Sequence, residues 1–270
     1  MKKLLKVVSL LALSVGLISA LSACGNAQKT TKSSDYTSEL KNKNKLTIGL
    51  EGTFAPYSYR ENGKLTGLEV DLGKAVAKKL GVKAEFVPTQ WDSLIAGLGS
   101  KKFDMVLNNI TVTPERQKQY IFSTSYIYSK SVLITKKDNT SIKSIEDVKG
   151  KKLAEGTGTN NADTAEKFGA EVTPSNAFEN SLALVRQGRV EGTINSREAY
   201  LAYSKENGAK DLKYQLIPTD KVPAAKISAM FNKQSPALQK KVNQALKSLR
   251  ADGTLTKLSQ KYFGEDITKN

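Results

Sequence analysis

The sequence predicts an α/β fold with two sheets, each mainly parallel and flanked by helices. Three observations carry this reading. Short apolar runs of strand length alternate with segments of helical apolar spacing, an order that favours parallel strands joined by covering helices. The alternation breaks near Ser129 and then restarts, so the elements fall into two sets. At 270 residues the chain can bury the core that two modest units need.

Residues 1–24 (MKKLLKVVSLLALSVGLISALSAC) begin with Lys2, Lys3 and Lys6, continue as an apolar stretch and end in small residues before Cys24. This is the pattern of an export signal. As a membrane span the stretch falls short of the roughly 20 apolar residues a bilayer needs, and Ser9, Ser14, Gly16 and Ser19 dilute it. Leu21-Ser22-Ala23-Cys24 resembles the lipobox of bacterial lipoproteins, in which the cysteine thiol receives diacylglycerol, and Cys24 is the only cysteine of the chain. The resemblance implies a signal peptide at residues 1–23 and a protein held by lipid to the extracytoplasmic face of the cell membrane. Residues 25–44 lack apolar periodicity and are rich in Lys, Ser, Thr and Asn, which predicts a lipid-anchored, flexible tether over 24–45.

The first set of elements starts with a strand at 45–51 (KLTIGLE), broken by Gly52-Thr53-Phe54-Ala55-Pro56. Asn62-Gly63 marks a tight turn between two short extended pieces. Residues 68–80 (LEVDLGKAVAKKL) carry apolar side chains at helical spacing and stop at Gly81, a helix-ending residue. A strand at 82–87, a helix at 91–98 and a buried strand at 103–107 (FDMVL) follow, then a polar loop at 108–114. Ligands of such sheets sit outside the carboxyl ends of the strands. The loops after Glu51 and after Leu107 are therefore candidate site loops.

The second set comprises strands at 131–135 (SVLIT) and 151–154, a loop at 155–161, a helix at 178–187, a strand at 190–194 and a helix at 197–206. A strand at 226–231 (KISAMF) and an amphipathic helix at 235–251 with Pro236 near its start come next, and a short helix at 255–262 closes the chain.

Composition narrows the chemistry. The formal charge is +16, or +13 without the three leader lysines, but the lysines are scattered and not clustered between aromatics. They read as a solvated surface facing an anionic envelope, with no nucleic acid as partner. The absence of histidine and the single cysteine exclude Ser/His/Asp triads, Cys/His dyads, most zinc sites and any intramolecular disulfide. No metal, cofactor or catalytic residue is expected.

Five segments in fixed order resemble the polar amino-acid family (family 3) of bacterial solute-binding proteins, which serve ATP-driven importers. They are EGTFAPY from Glu51, LTGLEVDL from Leu65, NITVTPER from Asn109, VKGKK from Val148 and ADGTL from Ala251. The resemblance implies a two-lobed periplasmic-binding-protein-like fold with two crossovers, a ligand between the lobes and hinge closure on binding. Lobe one would be residues 46–130 plus 228–268, and lobe two residues 131–227. The implied partners are a small amino acid and the membrane permease and ATPase subunits of an importer, with the receptor itself a monomer.

A free amino acid needs a cation for its carboxylate, acceptors for its ammonium and a pocket for its side chain. Pattern alone reads Arg116 equally as a solvated arginine or as an anion ligand; the resemblance matches it to the family's carboxylate-binding arginine, whose planar fork holds two oxygens. It also gives Asn109, Ile110 and Thr111 to the ligand backbone. Across the cleft, Gly158, Thr159 and Asn160 lie in a glycine-containing loop that reads either as a plain turn or as an anion cradle ahead of a helix. Phe54 and Trp91 read as cavity walls or as core, and Glu51 matches a position that meets distal ligand groups. Where many members carry an aspartate for the ammonium, this chain has Ser196, which supplies no countercharge. The ammonium then relies on carbonyls, on Ser196 and on Glu51 or Glu155, or the ligand carries a modified amine. EGTFAPY, PTQWDSL, NNITVTPER and GTGTN are together most similar to the cystine-binding branch.

Two other classes share this fold. A dehydratase of cyclohexadienyl type would use cleft carboxyl groups as general acids, with Glu51, Glu155 and Glu191 as candidates, although no acid pair here has a spacing that demands catalysis. A signalling sensor would need the same closure as a transport receptor. Binding of another polar amino acid such as glutamine is the nearest alternative for the ligand.

Overall fold

The computed structural model describes residues 35–269. The expected leader, Cys24 and the first part of the tether lie outside the described residues. Strand β1 (Lys45–Leu50) leads to a hairpin of β2 (Tyr59–Glu61) and β3 (Lys64–Thr66), then α1 (Leu68–Leu80), β4 (Lys83–Pro88) and α2 (Trp91–Gly99). Strand β5 (Met105–Val106), the single turn α3 (Pro114–Gln117), β6 (Tyr120–Phe122) and β7 (Ile127–Ser129) follow. The second half contains β8 (Ser131–Lys136), β9 (Lys152–Glu155), α4 (Asn160–Lys167), β10 (Glu171–Pro174), α5 (Phe178–Arg186), β11 (Gly192–Ser196), α6 (Arg197–Asn207) and β12 (Leu212–Leu216). The chain ends with β13 (Ala225–Ile227), β14 (Met230–Asn232), α7 (Pro236–Ala251) and α8 (Thr254–Phe263). No helix among the described residues is long and apolar enough to cross a membrane.

Two five-stranded sheets form, in the orders β4-β1-β5-β14-β6 and β10-β9-β11-β8-β12. The chain passes between them twice, and the two passages, β7 and β13, pair antiparallel as a ribbon from Ile127↔Ile227 to Ser129↔Ala225. The expectation of mainly parallel sheets holds by strand direction: in each sheet four of the five strands run the same way and one, β14 or β8, is reversed. In each sheet two pairings are parallel, β1 with β4 and β5, and β9 with β10 and β11. The other two are antiparallel, through β14 and through β8. The reason is the double passage: β8 and β14 enter their sheets from the cleft and run away from it, whereas their neighbours run toward it.

Both sheets are covered on both faces, as period-two strands between helices require. In the first, Ile48, Met105 and Phe231 pack with Leu72 of α1 and Leu238, Val242 and Leu246 of α7. Val106 and Met230 point the other way, onto Leu94 and Leu98 of α2. In the second, Val132 and Ile134 meet Leu182 and Val185 of α5, while Leu133, Leu153 and Ile194 face Ala165 of α4. The folded unit also begins upstream of Lys45. Glu39 accepts hydrogen bonds from the N–H groups of Ala237 and Leu238, capping α7 with a carboxylate at its positive end, and Asp104 accepts from the N–H groups of Lys41 and Thr47.

Asn62 and Gly63 both have positive φ, as the expected tight hairpin requires. A more demanding glycine is Gly67, at φ 123 just before α1. There the loop preceding β2 is laid against the helix, and the N–H groups of Leu68 and Glu69 donate to the carbonyls of Pro56 and Tyr57. A Cβ on Gly67 would stand 2.3 Å from the Tyr57 oxygen. Gly67→Ala is therefore expected to cost about 1–3 kcal/mol and lower the melting temperature by roughly 2–10 °C. Gly63→Ala, whose added carbon meets nothing within 4 Å, is expected to lower it less, and thermal unfolding of the two variants checks the order.

Candidate functional site

Residues at the carboxyl ends of β1, β5, β9, β10 and β11 meet around one cavity of about 110 Å³ between the sheets. That is many times the roughly 10–15 Å³ that one water needs, so a small organic molecule fits. Glu51, just past β1, donates its N–H to Asn108 Oδ1 at 2.8 Å, and Asn108 Nδ2 returns a bond to Glu51 Oε2 at 2.7 Å. Burial pushes the Glu51 carboxyl up, and the Asn108 amide opposes that shift. Phe54 lines the same wall and leans on Tyr57, with ring centroids 5.1 Å apart.

The loop after β5 is held from below. Asn109 has φ 49, and its N–H donates at 2.6 Å to Oε1 of Glu69, a fully buried residue of α1 that also accepts from Tyr126 Oη. Burial pushes the Glu69 carboxyl up to about 7, with Glu51 adding to the rise and Tyr126 and Asn109 opposing it. Its second oxygen, Oε2, is buried with no hydrogen-bond partner. Asn109 and Thr111 line the cavity, but Ile110 does not. The Ile110 side chain lies in the core beside Leu94 and Phe103, and its carbonyl accepts from the Ser228 N–H.

Three hydrogen bonds join this lobe to the loop at residues 156–161. Trp91 Nε1 donates to the Thr157 carbonyl at 2.9 Å, Arg116 Nη2 to the Gly158 carbonyl at 3.2 Å, and Thr111 Oγ1 to Asn160 Oδ1 at 3.1 Å. Arg116 also donates to the Thr111 carbonyl at 2.9 Å, and its guanidinium lies 5.5 Å from the centre of the Trp91 ring. Arg116 and Gly158 thus stand at the rim and are not part of the cavity lining. Thr159 caps α4 by accepting from the Ala162 N–H, and Thr159 and Asn160 both line the cavity.

Ser196 lines the cavity from the end of β11 and caps α6, accepting from the Ala199 N–H at 3.3 Å and from Tyr57 Oη at 3.1 Å. Behind it lies Glu198, 4% exposed, which accepts from Ser129 Oγ at 2.7 Å. Glu155, 2% exposed at the end of β9, lines the cavity and accepts the Ile194 N–H on Oε1 at 2.6 Å. Ser175, Asn176 and Phe178 complete that wall, and sequence reasoning passed over them. The signal was available: they follow strand β10, but Glu171–Pro174 is too short and polar to read as a strand. Among the described residues no group of acids, histidines or cysteines is arranged to hold a metal ion.

The family model of bacterial extracellular solute-binding proteins, family 3, matches residues 46–265. The chain belongs to this family. Among its relatives, the L-cystine-binding protein TcyA of Bacillus subtilis (strain 168) is 41% identical over 259 residues, covering 93% of this chain and 95% of that protein. The structure of an ancestral arginine-binding protein bound to arginine is matched with a TM-score of 0.74 at 36% identity, over 82% of this chain and 99% of that one. The L-cystine solute receptor of Neisseria gonorrhoeae in its unliganded open conformation is 39% identical over 87% of this chain and 99% of that one, with a TM-score of 0.60. The hydrogen bonds from Trp91, Arg116 and Thr111 span the cleft, so the two lobes meet across it here.

Glu69 makes the site loop sensitive to pH. The side chain titrates near 4.5 when unperturbed and about 7 in the fold, so the folded state keeps a proton that the unfolded chain releases. Stability is expected to fall as pH rises across that window and to level off above it, by at most about 3 kcal/mol for this one group. Melting temperatures measured from about pH 5 to pH 8 should show the decline, and Glu69→Gln should flatten that part of it.

Proposed function

We propose that the protein is the lipid-anchored substrate-binding component of an ATP-driven amino-acid importer, and that its ligand is L-cystine or a related sulfur amino acid. The observation that carries the reading is a closed, carboxylate-lined cavity in a chain similar over nearly its whole length to an L-cystine-binding protein. Cystine has two zwitterionic ends. Glu51 would meet the distal ammonium, and Arg116, which spends two of its five N–H donors on carbonyls, keeps donors for a carboxylate at the rim. The start of α4, with Thr159 and Asn160, adds a positive helix end on the same side. Phe54 and Trp91 supply apolar walls for the disulfide stem.

Binding then favours the closed form, which a permease and its ATPase distinguish from the open one. Binding and closure account for the arrangement, so the reading is of a monomeric receptor and not of an enzyme. Cys24, in its lipobox-like setting, would hold the receptor at the extracytoplasmic face of the membrane.

Trp91 is the only tryptophan of the chain and touches the opposite lobe, so its emission reports closure. Titrating L-cystine into the full chain in detergent is expected to change that emission saturably and to give heat by calorimetry. Heat from L-glutamine but none from L-cystine overturns the cystine assignment, and no response to any amino acid overturns the receptor reading. Arg116→Lys, which keeps the charge but loses the fork, is expected to weaken binding by about tenfold or more. In cells, Cys24→Ser is expected to move the protein from the membrane fraction to the soluble fraction, read by immunoblot.

A further inference from the structure

The cavity wall has an electrostatic asymmetry. The chain carries +16 formal charge, yet among the described residues no lysine or arginine lines the cavity, while two glutamates do. Glu51 stands on the first lobe and Glu155 on the second. A ligand with an ammonium group needs a countercharge on the second lobe, and Ser196 does not provide it. Its oxygen accepts the Ala199 N–H and lies 3.1 Å from Tyr57 Oη, and as a neutral hydroxyl it brings no countercharge.

Glu198 is close by but sits behind the wall. It is not part of the lining, and it is engaged with Ser129 and Tyr57. Asn195 Oδ1 accepts from the Ser196 N–H. Glu155 is different. Strand β9 lies beside β11 in parallel register, Gly192 opposite Leu153, so Glu155 comes level with Ile194, two residues before Ser196. The Ile194 N–H fixes one carboxyl oxygen at 2.6 Å, leaving the other for a ligand.

We propose that Glu155 is the second-lobe carboxylate that receives the ligand's ammonium group, a countercharge moved one strand over from the position that Ser196 occupies. The assignment rests on the reading that the ligand is an α-amino acid. Burial pushes the Glu155 carboxyl well up, opposed by the Ile194 N–H and the Thr193 hydroxyl, and none of the described lysines or arginines is paired with it. A bound ammonium would supply the missing partner and favour the ionised form.

The test compares ligands with and without the α-ammonium, by calorimetry on the full chain in detergent. The pairs are L-cystine against 3,3′-dithiodipropionate and L-glutamine against glutaramate. Wild type is expected to prefer the amino acid it binds over its desamino counterpart. In Glu155→Gln the amino acid should weaken by about tenfold or more while the desamino compound binds as before or better. Adding Ser196→Asp to that variant should recover part of the loss.

Glu155→Gln that binds the amino acid within about threefold of wild type overturns the proposal. So does an equal loss for both members of a pair, which marks a structural role. Wild type that responds to no amino acid overturns the amino-acid reading itself, a result distinct from failure of the Glu155 assignment.

Discussion

The guanidinium of Arg116 ties the two lobes together at the rim of the cavity. It donates to carbonyls from opposite sides, Thr111 and Gly158, and lies over the Trp91 ring. Burial lowers the basicity of such a cation, so it is tolerated only where oriented dipoles and an aromatic face replace water. Those dipoles are placed by the sheets behind them. Thr111 forms a bridge with Ile227 of β13, and the Val112 N–H donates to the Lys226 carbonyl, so the site loop is fastened directly to one of the passages between lobes. Trp91 opens α2, whose Leu94 and Leu98 are fixed in the core under the first sheet.

Inside this rim the electrostatics reverse sign. A lysine-rich exterior encloses a wall carrying Glu51 and Glu155, each steadied by a neutral donor, the Asn108 amide or the Ile194 N–H, and not by a cation. Buried acids without a cationic partner cost folding free energy. In the proposed reading, the ligand's ammonium groups are the positive partners that these acids lack within the protein. Glu69, below the floor, serves another end: it holds Asn109 at positive φ so that the loop can turn past it.

Most of the helices and the long strands were legible in the sequence, because apolar spacing reports which face is buried. Direction was not: SVLIT reads the same whether β8 runs parallel or antiparallel to β11, and only the double passage between lobes decides it. The edge strands β10 and β12 were missed because half-exposed polar runs carry little pattern. Within the site, the resemblance pointed to Glu51 and Thr111 and aromatic character to Phe54 and Trp91, but neither could separate Ile110, whose side chain is core, from its neighbours. The burial of Glu155 was hidden for a general reason, since glutamate ordinarily sits in solvent. The segment before β1 looked like plain tether, yet Glu39 reaches the start of α7 through a contact that no local pattern announces.

The ribbon of β7 and β13 has a mechanical consequence. Two strands hydrogen-bonded along three residues each form one short strap, so a hinge there would turn the lobes together about it. A small angle at the strap is magnified at the far edge of each lobe, as with any lever whose pivot is short compared with its arm. The outer surface therefore registers the angle, whatever molecule has set it. A protein of this build can exchange the groups lining its interior while its outer shape stays the same.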